Sequence, residues 1–180
     1  PDALQQLLVQ RPLLNAYFNA GAAVLDAQGR VLASTTTVLP PGSMQSGNLA
    51  VQAALQHART GTSLPQADDS ARTPHMELVV PLLREDGQAM GAVAGATKLL
   101  DDNFLDEFVE VRDSSEGSYF LVDPQARTIV TASDKRRTLQ ALPAPGLVAA
   151  EDAFAQGREG SAVYTNAQGT EVLGASRRLN

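Results

Sequence analysis

The chain alternates short apolar runs with small polar turns, and the same phrase recurs. In Ala22-Ala23-Val24-Leu25-Asp26-Ala27-Gln28-Gly29-Arg30-Val31-Leu32-Ala33-Ser34 two apolar runs meet at an Asp-to-Gly turn, the signature of a β-hairpin. The phrase returns at residues 121–133 (turn Asp123-Pro124-Gln125-Ala126), at 164–173 (turn Asn166-Ala167-Gln168-Gly169) and more loosely at 84–91 (turn Glu85-Asp86-Gly87). Helical spacing appears between the hairpins. Leu4, Leu7 and Leu8 predict a helix over residues 2–18, with Pro12 starting a second turn at its first position. Asn48 predicts the cap of a helix running to about residue 59, with Val51, Ala54, Leu55 and Ala58 on one face.

Strands are expected over 76–83 and 89–100. Pro81 places the first at an edge or bulge, and Gly91 and Gly95 let another element or a ligand approach the second closely. Asp101 and Asp102 open an expected helix with Phe104, Leu105, Phe108 and Val109 as its stripe, and the polar run 113–117 reads as a domain boundary. Beyond it come a strand pair over 118–132, helical turns over 134–142 and 147–155, and a last hairpin over 161–176. The resulting class is α+β, with two half-size antiparallel sheets rather than one large one.

Composition narrows the function. Cysteine is absent from the 180 residues, which removes disulfides, thiolate zinc sites and a thiol nucleophile together. The net charge of -6 and the lack of a basic stripe argue against a nucleic-acid surface. No apolar run approaches the ~18 residues of a membrane helix. Both termini read as cut, so the chain is expected to be a piece of a larger protein. His57 and His75 are the only histidines and make a weak metal signal. No G-x-S-x-G elbow is present. Residues 91–98 have the wrong spacing for a phosphate loop. Neither an enzyme nor a cofactor is expected.

The succession of runs resembles a double Cache domain, the PAS-like extracytoplasmic sensor of bacterial chemoreceptors, histidine kinases and diguanylate cyclases. The resemblance lies in Phe18 to Val31, Val80-Pro81-Leu82, Asp86-Gly87, Met90 to Gly95, Leu99, Gly117 to Asp123, Thr131 to Asp134 and Glu159-Gly160-Ser161. It covers nearly the whole chain, and the last run is most similar to sensors joined to diguanylate cyclase outputs. It implies an N-terminal helix (1–19), a membrane-distal PAS-like module (20–100), a linking helix (101–116) and an incomplete membrane-proximal module (117–180). It also implies a periplasmic location, flanking transmembrane helices, a cytoplasmic output domain and a homodimer in the full-length protein, with Leu4, Leu7 and Leu8 in the seam. A ligand-free spacer that recognises a periplasmic protein is the alternative.

The resemblance places the ligand in the distal module. Arg72 and His75 precede the middle strand at the pocket lip, and with Lys98 they suit a carboxylate or phosphate. Glu77, Thr97 and Arg59 complete the candidate ligand-binding set, although Arg59 also reads as a cation complementing a helix C-terminus. In the amino-acid-binding branch a Tyr, an Arg and a Trp hold the ligand carboxylate, and an Asp on the long central strand holds its amine. This chain has no Trp, and Ala96 stands at the Asp position. An ammonium buried without a carboxylate is costly, so the small-molecule ligand is expected not to be a typical amino acid. Lys135-Arg136-Arg137, the one cationic cluster, suits anionic lipid heads.

Overall fold

The computed structural model describes residues 2–65, 74–108 and 117–179. It divides into two compact units, residues 1–108 and 109–180.

In the first unit the N-terminal stretch forms two helices, α1 (Asp2–Val9) and α2 (Pro12–Tyr17), with Pro12 at the start of the second. The first hairpin follows as β1 (Gly21–Asp26) and β2 (Val31–Ser34). Asp26 Oδ1 accepts the N–H groups of Gln28 and Arg30, both at 2.9 Å, and Gly29 takes φ 81°. That side-chain acceptor and that left-handed glycine are what the sequence signal encodes. Then come α3 (Leu49–His57), a two-residue strand β3 (Gly61–Thr62), β4 (His75–Leu83) and β5 (Ala89–Lys98).

The five strands form one antiparallel sheet in the order β2-β1-β5-β4-β3. Pro81 pairs with Ala92 on β5, while β3 reaches only Leu78 and Val79. The missing N–H of Pro81 therefore falls beyond the end of β3, where no ladder bond is lost.

Alternation along β5 sorts the two faces. Ala92 and Ala94 lie in a core with Ala23, Leu25 and Val79 beneath Ala50, Val51 and Ala54 of α3. On the reverse face Val93 joins Leu8, Ala22, Val24 and Ala33 against the N-terminal helices. Small residues on the middle strand let helices settle closely on both sides. At Gly95 the group that approaches is the ring of Phe18, which occupies the space a side chain would need.

Asn19, between α2 and β1, ties that junction to the end of β5. Its Oδ1 accepts the Lys98 N–H at 2.7 Å, and its Nδ2 donates to Asp102 O at 3.0 Å and more weakly to Lys98 O at 3.4 Å. Asn19→Ala frees the Lys98 amide, so its hydrogen exchange accelerates while the amides of Val79 and Ala94 in the sheet centre stay protected. Unchanged exchange at Lys98 would contradict this role. The helix expected from residue 101 onward is, over its described part, a 3-10 segment at Phe104–Phe108, and residues 109–116 of that expectation lie outside the described residues.

The second unit carries two hairpins, β6 (Phe120–Asp123) with β7 (Thr128–Ala132) and β8 (Gly160–Thr165) with β9 (Glu171–Ser176), each a two-stranded sheet. Between them lies α4 (Ala149–Ala155). The expected turn at 134–142 is a 3-10 segment, Lys135–Arg137, capped by Asp134. Its three cations turn to neighbours within the unit. Arg136 pairs with Asp134 at 2.9 Å, Arg137 stacks 4.9 Å from the centre of the Phe120 ring, and Lys135 Nζ donates to Thr131 Oγ1 at 3.2 Å. Arg127, left-handed at φ 49°, spans the unit by donating to Asp152 Oδ1 at 2.7 Å and Pro143 O at 2.8 Å.

Candidate functional site

A charged residue at a core position marks the site. On β4 the residues His75, Glu77 and Val79 share one face, and Val79 sits in the core under α3. Glu77 is only 3% exposed and His75 only 2%. Glu77 pairs in register with Ala96, and His75 with Lys98. Directly paired residues point to the same side, their Cβ atoms about 5 Å apart. The Glu77 carboxyl group therefore occupies the face of the sheet directly beside the small side chain of Ala96.

Asn48 holds the carboxyl group in place. As the N-cap of α3 its Oδ1 accepts from Ala50 N–H at 2.9 Å and Val51 N–H at 3.4 Å. Those bonds orient the amide so that Nδ2 remains to donate to Glu77 Oε2. Ser63, which follows β3, exchanges two bonds with the Glu77 backbone, Ser63 N–H to Glu77 O and Glu77 N–H to Ser63 Oγ, both at 2.8 Å. The second carboxyl oxygen, Oε1, stands 3.9 Å from His75 Nε2, beyond hydrogen-bond reach. Among the described residues it accepts no hydrogen bond, and His75 Nδ1 is buried with no partner. Burial pushes the Glu77 carboxyl above its ordinary value of 4.5, against the opposing pull of the Asn48 hydrogen bond and of the neighbouring His75.

This arrangement suits a cation. It has a buried carboxyl group, one neutral donor on one oxygen and, among the described residues, no hydrogen bond to the other. A buried carboxylate gains most from an ammonium that donates charge-assisted hydrogen bonds. Among the described residues no group of three His, Cys, Asp or Glu stands where it could hold a metal ion.

The structure gathers His75, Glu77 and Lys98 at one end of this face and separates the other candidates. Lys98, with its side chain 42% exposed, turns to Asp101 at 3.8 Å. Thr97 is buried on the reverse face, the side packed against the N-terminal helices, because neighbours on a strand point oppositely. Arg59 is exposed beyond the C-terminus of α3, where Ala58 turns left-handed at φ 52° and directs the chain away. Arg72 lies outside the described residues. Asn48 and Ser63 are the residues that sequence reasoning missed. The cap role of Asn48 was legible, whereas its bond to Glu77 joins positions 29 apart in sequence.

Asn48→Asp tests this geometry. The cap is retained, but the donor to Glu77 becomes a second carboxylate. Stability at pH 7 drops by about 2 kcal/mol, the scale of an unpaired buried polar group. The loss shrinks as acid neutralises either group. Thermal melts at pH 4.5 and 7 check it, and a pH-independent deficit would count against the contact.

No protein-family model matches the chain, and no curated protein matches it. Solved structures do. The ligand-binding domain of the Pseudomonas aeruginosa amino acid chemoreceptor PctB, in complex with L-Gln, matches with a TM-score of 0.64 at 20% identity, covering 96% of this chain and 66% of that one. The PctC domain of the same organism, in complex with GABA, gives 0.61 at 20% identity, covering 94% and 71%. The Pseudomonas fluorescens CtaA domain, in complex with L-serine, gives 0.57 at 20% identity, covering 79% and 59%. The chain therefore spans less than two thirds of the CtaA domain, and it shares the Cache-type fold of these domains.

These neighbours overturn one expectation. A ligand other than a typical amino acid was expected, yet this fold is recorded in complex with L-Gln, GABA and L-serine. The premise fails on physical grounds too. Besides the missing Trp, it rested on Ala96 leaving an ammonium without a carboxylate, and β4 places Glu77 directly opposite Ala96.

Proposed function

We propose that the chain is the extracytoplasmic ligand-sensing domain of a transmembrane signalling protein, and that its first unit binds an amino acid by the ammonium group. The first unit is the membrane-distal sensing module and the second the membrane-proximal one. The output is a chemoreceptor, histidine kinase or diguanylate cyclase domain beyond the membrane. Among the described residues no helix is long and apolar enough to cross a membrane, so the membrane helices of this reading belong to the flanking chain.

The observation that supports it is the buried Glu77 carboxyl group beside Ala96, with one oxygen held by Asn48 and the other accepting no hydrogen bond among the described residues. A sensing domain must bind its ligand unequally in two conformations, and a buried carboxyl group that gains a counter-ion on binding supplies that difference. On α1, Leu7 at 45% and Val9 at 58% exposure leave an apolar edge for a second copy in the full-length protein.

Calorimetric titration with L-alanine and L-lactate tests the ammonium requirement. The two differ by exchange of the amine for a hydroxyl. L-alanine binds and L-lactate does not. At a hundred times its Kd the amino acid adds about 2.7 kcal/mol of stability, read as a melting shift of roughly several degrees. Equal binding of both, or of neither with a wider amino acid panel also silent, would overturn the proposal.

A further inference from the structure

Beside the Glu77 carboxyl group, the same cluster contains a buried polar atom without a hydrogen-bond partner. His75 is 2% exposed, and its Nδ1 is buried without a hydrogen-bond partner. The surroundings assign its proton. Nε2 faces the Glu77 carboxyl oxygen at 3.9 Å. At that distance there is no hydrogen bond, but the negative charge of the carboxylate favours the neutral tautomer with its N–H on Nε2, which leaves the lone pair on Nδ1.

Among the described residues the neighbouring groups already have partners. The Asn48 amide serves α3 and Glu77, Ser63 Oγ serves the Glu77 N–H, and Lys98 Nζ pairs with Asp101. A buried acceptor without a partner is uncommon in native proteins and calls for a cause. His75 Nδ1 and the Glu77 carboxyl group rise from the same face of β4, with Nε2 of the same ring 3.9 Å from Oε1. That placement suits one small molecule bearing two donor groups.

We propose that His75 Nδ1 is the specificity contact of this site, accepting a hydrogen bond from a hydroxyl or amide on the side chain of the bound amino acid. The inference rests on Glu77 as the ammonium acceptor. It makes the ligand class amino acids with a side-chain donor, with serine, threonine, asparagine and glutamine above their aliphatic counterparts. An aliphatic ligand would leave the imidazole acceptor buried and unpaired, whereas a donor satisfies it, and sites with a buried polar group reject analogues that cannot pair it.

The test uses the isosteric pair L-threonine and L-valine, with L-serine and L-alanine beside it, titrated into the 180-residue chain. In the wild type threonine binds about tenfold tighter than valine, and serine than alanine, the factor one buried hydrogen bond supplies. In His75→Leu, which removes the acceptor and fills the space, both ratios fall to about one. In His75→Asn, which restores an acceptor oxygen, they recover at least in part. Glu77→Gln weakens all four ligands together. Nitrogen-15 spectra give a reading without a variant, in which the His75 Nδ1 resonance moves on adding threonine and stays in place on adding valine. Equal affinities in the wild type, ratios that survive in His75→Leu, or an unmoved Nδ1 resonance would overturn this inference and leave the ammonium reading intact. Binding indifferent to Glu77→Gln would overturn the ammonium reading and this inference with it, and so would silence from all four ligands.

Discussion

Glu77→Gln weakens amino acid binding about a hundredfold and stabilises the ligand-free protein at neutral pH. Both effects come from one buried carboxyl group. Glutamine keeps the shape and still offers an oxygen to Asn48. It lacks the charge that an ammonium requires, and a charge-assisted bond in a buried site typically carries about 2–3 kcal/mol. Stability moves the other way. Burial raises the folded-state pKa of Glu77 above its ordinary 4.5, so the folded chain holds a proton that the unfolded chain releases. A group with a raised folded value contributes fully below the unfolded pKa and loses that contribution as pH rises through the folded one. Wild-type stability therefore declines relative to Glu77→Gln from about pH 4.5 upward and levels once the folded carboxyl ionises. Amine affinity climbs across the same window, because the ammonium needs the ionised form. Melting curves of both proteins between pH 4 and 8 check the first trend, and calorimetric titrations the second. A stability gap that stays constant with pH would show that the carboxyl group is not strained by burial.

Gly95→Ala separates the N-terminal helices from the sheet. The added methyl group would fall within the half-buried Phe18 ring, on the middle strand, so the ring or the strand must shift. Ala94 and Ala96 on either side are 0% exposed, so the strand is held against α3 on its other face. Overpacking of this kind costs about 3 kcal/mol, which for a unit of this size lowers the melting temperature by roughly 10 °C. Phe18→Leu in the same background recovers part of the loss, although Phe18→Leu alone is destabilising. A double-mutant cycle reads that coupling directly. Additive losses would mean that the strand, not the ring, absorbs the strain.

Gly95 shows how far the sequence carries. Glycine on a central apolar strand announces a close approach, yet nothing local says which group approaches, because Phe18 arrives from a helix 77 positions away. The hairpins were legible for the opposite reason. Their turns are closed by side chains within the turn itself, as Asp26 does for Gln28 and Arg30 and Asp123 for Gln125 and Ala126. Strand alternation also carried more than was taken from it. Thr97 and Lys98 are adjacent on one strand and face opposite sides, so they are not ligands of one pocket. Glu77 falls in step with Val79 and was legible as a carboxylate in a core position. Its place opposite Ala96 was not legible, because that requires the register between β4 and β5. A carboxylate on the neighbouring strand leaves no trace at the position where the resemblance expects an acid.

Asn19 gives the fold a mechanical property. One amide side chain holds both the N–H and the C=O of Lys98, together with Asp102 O, at the point where the N-terminal helices enter the sheet. Phe18, one residue earlier, is seated on Gly95 of the same strand. Two successive residues thus pin the exit of α2 to β5 at two points three residues apart. A hinge needs one pin, whereas two make a rigid bracket. Tilting the end of β5, where Lys98 stands opposite His75, therefore turns the helices through the same angle, and a push along the helices is felt first at that end of the strand.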